Sequence, residues 1–498
     1  MKGGLTKNVI AANDSAPSMQ GREASYRAKA ATAGEDRSTQ EMIVRFVALA
    51  ERLDAAGFGP ADYLYAPLKW RLQHPDISRT SFLASVLKAW RLVLDPPPVP
   101  RGLEHAAILA ASSYAVSARF LRQVVDSFEP GEAVLCDVSA TAPRSLSRRI
   151  VDSLGLLAAA GPALIFALRV NAALRRARIG PVERRRIAEA AFIHAAHRRG
   201  ARAILQSVRP ECLVIANGNR AFELSLFAEA KARGIATVLL PFAEINPKPA
   251  RFLSLCRGAF DLVLPFSEHS AAEIRKLRQG VAVEVVGFPV GSFAIDMDET
   301  SEPGRMGGFK VLYICGNNFE DEASVFLRTA FADIRDVKLR VRLHPRNTEA
   351  EIRALFSWVA QDRFSNPLKT PLAEDIGSAD AAIMVRSTVA LDAMFAGVPM
   401  IWLSPSKHRA ELESHPVRKQ ELALLDAATP EELRGILQKL AHDEGERQRV
   451  RDEQWARLRA AGYNQDYFDT VRTALRRLLG RIVGIRQPEG AAAAPLRP

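Results

Sequence analysis

Cysteine is scarce: the 498 residues hold four, Cys136, Cys212, Cys256 and Cys315. They stand far apart, with neither a CxxC pair nor a Cys/His spacing suited to zinc, so neither a disulfide framework nor a metal site is expected. Three of them end or enter apolar runs, which predicts small buried hydrophobes in a reducing compartment. No run reaches the roughly 20 apolar residues that a membrane-spanning helix needs. The nearest is Leu154 to Leu168. The opening MKGGLTKNVIAANDSAPSMQ has no continuous apolar stretch ahead of a cleavage site and reads as a disordered leader rather than a secretory signal. Together these absences predict a cytoplasmic protein.

Acidic residues are few in one place. Between Thr141 and Pro210, fourteen arginines and no lysine stand against Asp152, Glu183 and Glu189, which puts +11 of the net charge of +12 into one segment. The rest of the chain is near neutral, so no general nucleic-acid surface is expected. The chain is too long for one ordinary domain, and 48% hydrophobic with 25% charged residues is a globular composition. It shows no short-period repeat.

Residues 1–39 lack periodicity and are predicted unstructured. The segment 40–100 is helical, with Ile43, Phe46, Val47, Leu49, Ala50 and Leu53 on one face, and DPPPVPRG closes it because consecutive prolines cannot continue a helix. Over 101–295 short apolar runs (AAILAA, AVLCDV, CLVIAN, ATVLLPF, and the stretches Leu262 to Pro265 and Glu284 to Val286) alternate with helical patterns, interrupted by a basic helical insertion at 141–202. A polar, glycine-rich linker spans Asp296 to Gly308. A second series fills 309–430: VLYIC, helix Asp321 to Ile334, KLRVRLHP, helix Glu349 to Ala360, AAIMV, helix Ser387 to Ala396, PMIWLS. Helices occupy 431–485 and a low-complexity tail 486–498. Strands alternating with helices predict an α/β chain with two doubly wound, Rossmann-like domains and helical additions at both ends.

Ligands of open parallel sheets sit beyond the C-terminal ends of the strands, at the point where strand order reverses. Four places in the second series qualify. Gly316, Asn317 and Asn318 follow VLYIC and precede a helix, where glycine allows close backbone approach and helix-start N–H groups favour an anion. In RVRLHPR, Arg342, His344 and Arg346 cluster at a strand end, and an imidazole there can donate to a phosphate or protonate a leaving group. His74 and His415 also precede proline, but only His344 ends a strand. Arg386, Ser387 and Thr388 follow AAIMV and open a helix, a cation beside hydroxyls suited to a diphosphate. Glu374 and Asp375, just upstream, read equally well as a solvated helix face.

The order of strand-tip His-Pro, the acidic LAEDI segment, then Ser387-Thr388 opening a helix with AMFAGVPMI resembles the C-terminal half of CDP-glycerol glycerophosphotransferases. It is similar also to bacterial sialyl- and polysialyltransferases and to capsule polysaccharide transferases. The resemblance covers roughly Phe260 to Ser404. It implies a GT-B fold with two Rossmann-like domains facing a cleft, the acceptor in the first domain and the donor nucleotide in the second, at His344, Ser387 and Thr388. It implies as partners a nucleotide-activated sugar or CDP-glycerol and a surface-polysaccharide or lipid-linked acceptor, with no further cofactor. The sequence departs from the glycerophosphotransferases at LLPFAEINP, where they carry a His-Gly pair. A metal-independent transfer then needs another base, and Glu244, Glu223 and Asp137 are the carboxylates available, in that order. Glu223 reads equally as a helix-start acid. Two other readings stand beside this one: a nucleotide-sugar 2-epimerase, and a non-catalytic GT-B scaffold. The apolar run LGLLAAAGPALIFAL beside Arg148, Arg149, Arg169, Arg175, Arg176 and Arg178 reads either as a helix docked on the inner face of the membrane or as a buried hairpin.

Overall fold

The computed structural model describes residues 105–137, 164–176, 181–216, 221–242, 260–277, 281–289, 308–316, 319–344, 347–405, 412, 415–463 and 466–486. The chain divides into two compact units. One comprises Met1–Leu94, Ser153–His197 and Lys248–Gly258, and the other the remainder, which carries both sheets. The N-terminal helical segment, the interdomain linker and the C-terminal tail expected from the sequence lie outside the described residues.

The first sheet begins with β1 (Ile108–Ser112), α1 (Ala115–Asp126) and β2 (Ala133–Asp137). Helix α2 covers residues 164–176, and α3 (Pro181–Val208) follows. Then come β3 (Cys212–Ile215), α4 (Ala221–Ala232), β4 (Ala236–Leu239), β5 (Leu262–Val263), α5 (Glu268–Leu277) and β6 (Ala282–Val283). All pairings are parallel, in the order β2-β1-β3-β4-β5-β6. Every residue of β1, β3 and β4 is buried, the mark of strands covered on both faces. Part of the arginine excess is matched by a buried acid: Glu229 on α4, only 3% exposed, pairs with Arg198 at 2.7 Å and Arg202 at 3.3 Å from α3, both of which reach it from the surface.

The second sheet is built from β7 (Phe309–Ile314), α6 (Glu320–Phe331), β8 (Val337–Arg342), α7 (Glu349–Leu355), β9 (Phe364–Ser365), α8 (Leu372–Gly377), β10 (Ala381–Met384), α9 (Val389–Phe395), β11 (Met400–Leu403), α10 (Pro416–Lys419) and β12 (Leu425–Ala427). Its strands, again parallel, lie in the order β12-β11-β10-β7-β8-β9, so the order reverses between β7 and β10. Three helices close the chain: α11 (Pro430–His442), α12 (Glu444–Ala460) and α13 (Tyr467–Arg486). Thr429 and Asp443 cap the first two, their side chains accepting from Glu432 N–H (3.2 Å) and Glu446 N–H (2.9 Å).

The last helix returns to the first sheet's elements. Arg476 clamps Glu132 through two bonds of 2.8 Å, Arg472 donates to the Ser127 carbonyl at 2.6 Å, and Tyr467 packs between Phe120 and Phe266. One apolar core accordingly runs from β1, β3 and β4 through Phe288, stacked on Phe395, to β10, α9 and α13. A separate core lies under β7, β8, α6 and α7.

Some expectations shift. The strand placed at Glu284 to Val286 forms two residues earlier, at β6. The helix expected to reach Ala360 ends at Leu355, because Phe356 leaves helical geometry (φ −99°, ψ 33°) and turns fully buried into the core. The short edge strands β9 and β12 carry no signal of their own. Cys136, Cys212 and Cys315 are free and buried as expected, and burial pushes the Cys136 thiol up to about 12. Cys256 lies outside the described residues. No described helix is long and apolar enough to cross a membrane.

Candidate functional site

Strand register brings three of the candidate residues to one end of the second sheet. Ile383 pairs with Tyr313, and Ile314 with Arg342. Three residues beyond the first pair stand Arg386 and Gly316, and two beyond the second stand Gly316 and His344. These three residues thus stand within three positions of the last paired residues of β10, β7 and β8, at the reversal of strand order where an open sheet leaves a crevice. Gly316, His344, Arg386, Ser387 and Thr388 are all partly exposed there. The loops are tied together by Asn347, whose side-chain amide donates to the Gly316 carbonyl at 3.2 Å.

The turn after β7 differs from the expectation. Gly316 N–H does not stand open to a ligand: it donates to Glu320 Oε1 at 2.6 Å, while the Tyr313 hydroxyl donates to Oε2 at 2.8 Å. Helix α6 thus begins on its own carboxylate, followed by Asp321 and Glu322, and three acids in a first turn repel an added anion. Phe319, entering the helix at φ +77°, adds local strain to this turn. Burial pushes the Glu320 carboxyl up to about 7, with the Tyr313 and Gly316 hydrogen bonds holding it back. Asn317 lies outside the described residues.

Arg342 was expected at the donor phosphates and instead serves the core. Its guanidinium pairs with Asp375 and donates to the Thr370 carbonyl at 3.0 Å, at 6% exposure. Asp375 also pairs with Arg340 at 3.1 Å and accepts from Ser365, so the acid read as half of a solvated helix face is the buried anchor of α8 against β8 and β9. Only Glu374 is exposed. Arg346 lies outside the described residues. His344, one pleat beyond Arg342, remains at the strand tip. By contrast His415 is buried against Trp402, with ring centroids 5.7 Å apart.

At β10, Arg386 leads into Ser387, whose hydroxyl accepts from Val389 N–H at 3.2 Å, leaving Thr388 as the residue before α9. One turn on, Asp392 is a residue the sequence reading missed. It is 6% exposed, its Oδ1 has no hydrogen-bond partner among the described residues, and burial holds its carboxyl well above the usual range.

Two of the three candidate bases sit around the tip of β1. Glu223, fully buried in the first turn of α4, accepts from Ser113 N–H at 2.9 Å and from the Ser112 and Ser113 hydroxyls at 3.3 Å. That engagement makes it a brace for the strand end. Asp137, paired in register with Ser112, ends the edge strand β2 with its side chain 20% exposed and Arg122 at 3.9 Å. Glu244 lies outside the described residues. Among the described residues no three His, Cys, Asp or Glu side chains are grouped to hold a metal ion.

Both strand orders, parallel throughout, and a last helix that returns to the first sheet define two Rossmann-like domains. The fold is of the GT-B type. No family model and no curated protein matches the sequence. Among solved structures, the chain is similar to sucrose-phosphate synthase from Thermosynechococcus elongatus (12% identity, TM-score 0.49, covering 76% of this chain and 100% of that one). It is similar also to UDP-GlcNAc 2-epimerase from Neisseria meningitidis bound to UDP-GlcNAc (12%, 0.46, 75% and 99%). An O-GlcNAc transferase mutant from Thermobaculum terrenum aligns over 92% of this chain and 98% of its own (16%, 0.39).

Proposed function

We propose that the protein transfers a glycosyl or glycerophosphoryl group from a nucleotide-activated donor to an acceptor hydroxyl, with the donor's diphosphate at the ends of β8 and β10. The observation that carries this reading is the placement of His344 and Arg386, both partly exposed, just beyond the ends of β8 and β10, the strands on either side of β7 where the strand order reverses. Arg386 supplies a fixed cation and Ser387 and Thr388 supply hydroxyls, while His344 donates to the departing phosphate. Such preorganised donors stabilise charge that grows as the donor bond breaks. The acceptor proton goes to a carboxylate of the first domain, Glu244 or, failing it, the partly exposed Asp137, with Glu223 positioning the end of β1. The surface-polysaccharide or lipid-linked class of acceptor rests on the sequence resemblance.

A thermal-shift panel of CMP, CDP, UDP and GDP tests the reading, because selective binding stabilises the folded state by mass action. One base should raise the melting temperature, and Arg386→Ala should abolish the rise. Turnover then follows as acceptor-dependent release of the nucleotide. No stabilisation by any nucleotide overturns the assignment of the site. Conversion of a nucleotide sugar without acceptor turns it toward epimerisation.

A further inference from the structure

Helix α2, residues 164–176, lies in the compact unit that carries neither sheet. Ala167, Val170 and Leu174, spaced three and four residues apart, are buried and mark the face it packs inward. The rest of the helix is unusual. Leu164, Ile165 and Leu168 are 42%, 58% and 54% exposed, while the other large exposed hydrophobics among the described residues, Val325, Leu355 and Leu368, lie elsewhere in the chain. Single exposed leucines are ordinary, but three within five residues form a patch. Toward the other end Arg169, Arg175 and Arg176 are exposed, and no acid occurs between Asp152 and Glu183.

An apolar end followed by a basic end on one exposed surface fits a bilayer boundary, with acyl chains below and phosphates above. At 1.5 Å per residue the helix is about 20 Å long, too short for a hydrocarbon core of about 30 Å, so it does not span the bilayer but enters one face at a tilt, apolar end deeper. A second copy of the chain fits less well: an isologous contact would set the same arginines against one another with no acid to meet them. We propose that α2 docks the protein on an anionic lipid surface, with Leu164, Ile165 and Leu168 entering the headgroup–acyl boundary and Arg169, Arg175 and Arg176 meeting lipid phosphates.

Co-sedimentation of the full chain with phosphatidylcholine vesicles, with and without phosphatidylglycerol, tests it. Binding should require phosphatidylglycerol and weaken as salt shortens the screening length below about 10 Å. Arg175→Glu with Arg176→Glu should weaken it by at least tenfold, since each basic residue near an anionic surface contributes about fivefold. Ile165→Glu with Leu168→Glu, at positions already exposed, should weaken it similarly, and an unchanged melting temperature confirms that both variants fold. Equal sedimentation with the two vesicle types, or wild-type binding by both variants, overturns the proposal. A dimer in light scattering that the Ile165→Glu, Leu168→Glu variant dissociates overturns it as well, assigning the face to a second copy.

Discussion

A carboxylate at a helix start is ordinarily ionised, but Glu320 is held up to about 7 by burial despite the Gly316 N–H and the Tyr313 hydroxyl. A raised folded value means that between about 4.5 and 7 the folded protein holds a proton the unfolded chain has released. The stability this confers is fully present below 4.5 and is lost as pH rises through 7, by up to about 3 kcal/mol at 1.36 kcal/mol per unit. Denaturation as a function of pH should therefore show a decline over this window, and Glu320→Gln should flatten it; an unchanged slope would place the titration elsewhere. His344 and His415 separate by a different measurement. His344→Ala should cost nucleotide affinity, by about 1.5 to 3 kcal/mol for a lost charge-assisted hydrogen bond, with little change in the unliganded melting temperature. His415→Ala, buried on Trp402, should do the opposite. Equal nucleotide affinity in both variants would remove His344 from the site.

Strands that are continuous apolar runs, such as ILAAS, CLVI and MIWL, were legible because burial on both faces leaves no polar alternation to read. The edge strands of the second sheet were not: β9 is two residues and β12 three, and only their neighbours define them. The site divides along the same line. The strand-end positions of His344 and of the Arg386 to Thr388 turn were legible because each follows a recognisable strand. Arg340, Arg342 and His344 share one side of β8, and what separates the two arginines from the histidine is Asp375, thirty-three residues beyond Arg342 and invisible to local pattern. Asp375→Ala should strand two arginines, one of them buried, and cost about 3 to 5 kcal/mol in denaturant unfolding. At α13 the structure makes a prediction of opposite sign. The fully buried Tyr467 ring fills the space between Phe120 and Phe266, yet its hydroxyl has no hydrogen-bond partner among the described residues. Tyr467→Phe should therefore raise stability by about 1 kcal/mol, whereas Tyr467→Ala should lower it by about 3 to 5 kcal/mol. A loss on removing the hydroxyl alone would reveal a partner for it.

For the whole molecule, the two Rossmann-like series were readable as separate domains from the rhythm of runs and helices, but their joining was not, because it depends on contacts between residues hundreds of positions apart. Arg476 reaches Glu132 and Arg472 reaches Ser127, while Phe288 stacks on Phe395 within an apolar core that draws on both sheets. Elements that share a core lose it together, since opening one exposes the buried face of the other. The two sheets should accordingly unfold in one calorimetric transition, with nucleotide raising that single transition although its proposed contacts are confined to the second sheet. Cutting the chain after Tyr463 removes α13 and its clamp on the first sheet, and should split the transition into two, of which nucleotide raises only one. Two separate transitions in the intact chain, with nucleotide moving only one, would show that the shared core does not couple the domains.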